Sequence, residues 1–194
     1  IAALTTTLVR GLNATNIGAL TETQVGQFSV TQLQAFSTTN LSALDATQAN
    51  ALTTTQIAGL ATTQITAFSA ADFGELSLTQ VAALTSTQVR ALTATNVGDL
   101  ADTQVAALTA TQIASLSSTN LISLDATQVG ALTTTQIAAL TGTQVRALTA
   151  TNIGDLADTQ IAALAGAQVS QLTATNLSAL DATQLGALTT PQVG

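Results

Sequence analysis

Two apolar columns run the length of the chain. Leu recurs at every eighth place from Leu4 through Leu12, Leu20 and Leu44 to Leu188, replaced only by Phe28, Phe36 and Phe68. Five residues after each comes a second column, Val9, Ile17, Val25, Leu33 and onward to Val193, in which Ala49 is the one weak member. The polar columns are as regular. The place after the Leu holds Thr, Ser, Asp or Asn in 20 of 24 units, with Ala61, Ala101, Ala157 and Ala165 as exceptions. Two places further on, 21 of 24 are Thr, and the next column is Gln or Asn in 22 of 24. The unit therefore reads L-T-x-T-Q-[VI]-x-A, and residues 1–194 form one continuous array of 24 octapeptides with no insertion.

One unit reads as a helix start. With Leu132 before the cap and Thr133 as N-cap, Gln136 falls three residues on and Ile137 four. Thr followed by Gln at that distance is the capping-box spacing, and Leu against Ile across the cap is the hydrophobic-staple spacing. Thr149 with Asn152 repeats the arrangement, while Asp45, Asp125 and Asp181 substitute at the cap, where Asp serves as well as Thr. Pro191 falls in a first turn, where a missing N–H costs little. The core columns are then Leu132, Ile137, Leu140, Val145, Leu148 and their equivalents.

Eight residues per unit leave room for six or seven helical residues at most, and helices that short are unstable alone because nucleation is unfavourable. Stacking must hold them, so the expected fold is all-α: a solenoid of very short capped helices, one per octapeptide, turning at each Thr. A β-solenoid is the alternative. Thr and Val favour strands, and Gly18, Gly98, Gly130 and Gly154 fall inside the expected helices at about 1 kcal/mol each against Ala. Against strands, the apolar spacings are three and five, whereas a one-sided strand needs two.

A longer period overlies the unit. The stretch RALTATNVGDLADTQVAAL from Arg90 recurs almost unchanged from Arg146, with a diverged copy from Arg10. The copies lie ten and seven units apart, which implies block duplication with three extra units around Phe68 to Gln80. Three extra units would keep phase in a coil of three, yet a coil of two is sterically simpler; both remain open.

Composition narrows the function. There are four Phe and no Trp, Tyr, Met, Cys or His, so the core is thin and aliphatic; Phe28, Phe36, Phe68 and Phe73 stand at core positions and are expected to fill it. Three Arg and no Lys against ten acids, a net charge of −7, exclude a nucleic-acid partner, which needs clustered cations. Thr or Gln interrupts each apolar stretch long before the ~20 residues a membrane helix needs, so no membrane insertion is expected. No signal peptide is visible at Ile1, and the array starts and stops within a unit, as a segment of a longer or polymeric assembly would.

Catalytic chemistry has little to work with. Without His, Cys or Lys, Ser and Thr hydroxyls have no conventional activating base, and the chain reads as a non-enzyme with no cofactor and no metal site. Asp99 with Asp102 and Asp155 with Asp158 are paired acids of the kind glycoside hydrolysis uses, but their columns tolerate Ala, Gly, Gln and Ser elsewhere and read as a solvated edge. Arg90 and Arg146 are placed to pair with such acids between rungs, at small gain. Isolated glycines exclude phosphate loops. The recurrent T-x-T resembles the motif of insect ice-binding proteins; with the first Thr committed to capping and the second packed in the first turn, neither is expected to be free to order water.

The phrase LTTTQIAALTGTQVRALTATN resembles the long octapeptide arrays of very large bacterial surface and secreted proteins described as adhesins, haemagglutinins or haem-utilisation proteins. The resemblance covers the whole chain and implies an extracellular or cell-surface rod, stalk or filament. It carries no ligand residues, and a haem role lacks His, Cys, Tyr and Met as axial ligands. The expected partner is the chain itself, in head-to-tail or lateral assembly, because the last units keep Leu180, Leu188 and Val193 where solenoid ends usually turn polar. A glycan-, surface- or ice-binding face is the second expectation.

Overall fold

A computed structural model describes Ile1–Val193, without the Val193 side chain; the last member of the second apolar column and Gly194 thus lie outside the described residues. Every octapeptide forms one α-helix of four to six residues, from α1 (Thr6–Arg10) to α24 (Thr190–Val193), and no strand occurs among the described residues. The fold is the all-α solenoid, and the strand alternative falls. The reason is local. Each unit spends its polar columns on closing a first helical turn; the apolar spacing of three lies on one side of a helix, and the spacing of five spans the cap between one helix and the next.

The corner between helices is two extended residues. Leu132 closes α16 (Ala126–Ala131) at φ −59° and ψ 127°, and Thr133 opens α17 (Thr134–Ala138) at φ −73° and ψ 156°. Both lie near polyproline geometry, so φ stays negative through the corner. Among the described residues none has positive φ, glycine included. Gly18, Gly98 and Gly154 close their helices as last residues, which removes most of the interior cost expected of them.

Two compact units divide the chain, Ile1–Leu100 and Ala101–Gly194. In the first, α1 packs on α4 (Val30–Leu33), α2 (Ala14–Gly18) on α5 (Thr38–Leu41), and α3 (Glu22–Gly26) on α6 (Ala46–Asn50). In the second, α13 (Asp102–Ala107) packs on α16, α14 (Ala110–Ser115) on α17, and α15 (Ser118–Ile122) on α18 (Gly142–Ala147). Within each unit helices pack on the third one along, so a coil holds three octapeptides. This decides between the two coil sizes and explains how three extra units keep phase.

Both apolar columns point inward. Leu132, Ile137, Leu140, Val145 and Leu148 are all buried, Ile137 and Val145 completely. The four Phe fill the core as expected: Phe28 meets Phe36 edge-on at 5.0 Å between centroids, and Phe68 meets Phe73 at 5.6 Å. Val9, Ile17 and Val25 of the first coil are fully buried, whereas Leu177 and Leu185 of the last are 44% and 57% exposed. A coil's Ile/Val layer is therefore covered by the coil that follows it. At about 1.5–3 kcal/mol per buried aliphatic side chain, this stacking offsets the nucleation cost that a lone helix could not meet.

Candidate functional site

The most elaborate chemistry in the molecule is inside it. Thr133 Oγ1 accepts from the Gln136 backbone N–H at 3.2 Å, and Gln136 Oε1 accepts from the Thr133 N–H at 2.7 Å. Thr149 and Asn152 make the same pair at 3.1 Å each way. Asp125 and Asp181 accept from the N–H of Gln128 and Gln184, both at 2.8 Å. The expected caps are all in place. Where the cap is Ala, the N–H of Gln64, Gln160 or Gln168 turns to the cap's own carbonyl, at 2.8–2.9 Å, while the Gln side chain still accepts from the cap N–H.

The other end of each amide does something the capping motif does not require. Gln136 Nε2 donates to the carbonyls of Val105 and Leu108, at 2.9 and 2.6 Å, 31 and 28 residues earlier and thus one coil back. Gln144, Gln160 and Gln168 repeat this in the second unit. Gln48, Gln64, Gln80 and Gln88 do so in the first. Asn40, Asn96 and Asn176, one methylene shorter, reach only the carbonyl 28 residues back. No buried side-chain N or O is left without a partner among the described residues.

One side chain thus caps its own helix and ties it to the coil below. Reading the column only as a capping partner misses the second role. The signal was present: Glu suits the same capping position, yet none occurs in a column that is amide in 22 of 24 units. Glu accepts but cannot donate.

The outward face is Thr. The second Thr of each T-x-T is exposed rather than packed, a correction to expectation. It stands two residues before the inward Ile/Val column, and two residues are about 200° of helix rotation. Among the described residues its hydroxyl has no intrachain partner except in Thr47 and Thr183, which donate to their cap Asp at 2.7 Å, and Thr79, 3.1 Å from Ser77. Unbroken rows result within each unit, such as Thr15, Thr39, Thr63 and Thr87, or Thr111, Thr135, Thr159 and Thr183. The remaining row is interrupted by Ala71 in the first unit and by Ala167 and Pro191 in the second.

Asp155 closes α19 (Ala150–Gly154), and Asp158 is the exposed first residue of α20 (Asp158–Ala162). Arg146 Nη2 donates to Gln171 Oε1 at 2.6 Å, so its inter-coil partner is an amide rather than either acid. Backbone N–H donation from Gln48 and Gln184, then the Thr47 and Thr183 hydroxyls, hold the Asp45 and Asp181 carboxyls below the usual range. Burial, then Asp72 and Asp45, push the Glu75 carboxyl up. Among the described residues no group of three or more His, Cys, Asp and Glu could hold a metal, and no helix is long and apolar enough to cross a membrane.

Two open grooves exist, of about 360 Å³ beside Leu4, Gln27 and Thr31, and of about 570 Å³ beside Val169, Leu177 and Leu188. Neither is lined by an acid or a base. No known protein family matches the chain, and no curated protein is similar enough to be matched to it.

Proposed function

We propose that the chain is a structural scaffold with no catalytic role, whose task is to propagate stacked coils as part of a stalk or filament at a bacterial surface or in the extracellular matrix. The observation that carries this reading is the amide ladder. Within each unit the repeat commits its buried amide side chain to joining one coil to the one before at nearly every rung, and most remaining columns are core or small exposed residues. Location rests on the resemblance to octapeptide arrays of large surface proteins. Self-association follows from the same geometry. Asn16 and Gln24 of the first coil are exposed, and their amides match the carbonyls of Leu180 and Leu188 in the last. In a longer array the next coil covers these faces; in the 194-residue segment a second copy can stack there.

The test is small-angle scattering and electron microscopy of the isolated segment across concentration. Elongated particles that lengthen in steps of one segment support the scaffold, whereas a compact particle of fixed size overturns it. The free hydroxyls of the Thr rows favour a second reading, a glycan-, surface- or ice-binding face. Helices pack about 8–10 Å apart, so hydroxyls in a row are widely spaced. Ice recrystallisation and glycan-array assays decide it: inhibition or specific glycan capture supports this reading, and inactivity in both removes it.

A further inference from the structure

The ladder is interrupted once inside the first unit. Asp72, 9% exposed, stands where neighbouring rungs carry Gln or Asn. It keeps the capping half of the role, since Oδ2 accepts from the Ser69 N–H at 2.6 Å. The donating half is missing. The carbonyls of Leu20, Phe28, Phe36, Leu52 and Leu60 each receive an amide from one coil on, at 2.6–3.0 Å. Leu44, 28 residues before Asp72, receives none.

A carboxylate has only acceptors, so opposite a buried carbonyl it leaves the seam unbonded, whereas a carboxylic acid has one O–H to donate. Its neighbours include several acids. Asp45 caps α6, directly below α9 (Ala70–Glu75); Glu75 ends α9; and Asp99 closes α12 (Ala94–Gly98), on the following coil. Glu22 lies on α3, beneath α6. In the same coil, α8 (Thr62–Ile65) and α10 (Leu78–Ala82) carry no ionisable side chain, and none of these elements carries Arg.

We propose that the seam between α6 and α9 is a proton-operated latch, loosened while Asp72 is a carboxylate and closed when Asp72 carries a proton and donates it to the Leu44 carbonyl. The proton comes from solvent and returns to it; no covalent bond other than the carboxyl O–H changes. An array with such a seam tightens locally on acidification, opposite to the trend set by its Asp caps.

Hydrogen exchange of the full segment tests this, measured at about pH 7 and about pH 4, near the ordinary carboxyl range, with times corrected for intrinsic exchange. At neutral pH, peptides covering α6 and α9 should exchange at least ~tenfold faster than those covering α5 and α8. That excess should vanish in acid. Asp72→Asn, near-isosteric and a donor at every pH, should abolish it at both. Equal protection of the four helices at neutral pH, or an excess that persists in acid, overturns the latch. So does full closure by Glu75→Gln alone, which would make charge repulsion, and not the missing donor, the cause.

Discussion

At Gln136 a single atom change separates the two jobs of the repeat. Gln136→Glu keeps the oxygen that accepts from Thr133 but loses the donor to Val105 and Leu108, and leaves a carboxylate at a site 2% exposed. Unpaired buried charge typically costs about 3–5 kcal/mol. Thr133→Ala removes only a cap, ordinarily about 1 kcal/mol, and the Ala caps show the freed Gln N–H donating to the cap residue's carbonyl instead. Urea unfolding should therefore rank Gln136→Glu several-fold more damaging than Thr133→Ala. Asp45 and Asp181 add a pH dependence. Their folded carboxyls hold the proton less tightly than unfolded ones, so the caps' contribution is full above the unfolded value of about 3.9 and is lost as pH falls through the lower folded values. Melting followed in acid should show this decline, and it should shrink in Asp45→Ser, which caps without titrating.

At the scale of the element, each helix is too short to be chosen by propensity, and its environment decides what a residue is worth. A Cβ added at Gly130 meets nothing within 4 Å, whereas at Gly59 it would lie 2.4 Å from Val30 Cγ1. Gly130→Ala should then raise stability by about 0.5–1 kcal/mol, and Gly59→Ala should lower it by about 1–3 kcal/mol through overpacking; calorimetry on both variants checks the opposite signs. Gly130 stands one residue after Val129 and Gly59 two after Ile57, and only at the second position does a side chain of another coil, Val30, close on the added Cβ. The second Thr is exposed for a related reason: a helix of barely one turn leaves that side uncovered.

Across the whole molecule, register is set in steps of three octapeptides, and Val30 with Gly59 shows how residues enforce it. One extra octapeptide inserted between Phe36 and Ser37 would bring Ala51 opposite Val30, so its melting temperature should fall much as in Gly59→Ala; combining it with Ala51→Gly should restore most of the loss. If the insertion melts like the parent, lateral pairing does not specify the stacking. The sequence by itself determined the helix starts, the two inward columns, the caps and the thin aliphatic core, because all of these follow from contacts within one octapeptide, where spacing alone dictates geometry. Only the tertiary structure decided that three units close a coil, that the Gln amide donates to carbonyls 28 and 31 residues back, and that Asp72 leaves Leu44 without a donor. These are contacts between coils, and an array of nearly identical units presents the same local pattern whichever neighbour it stacks upon.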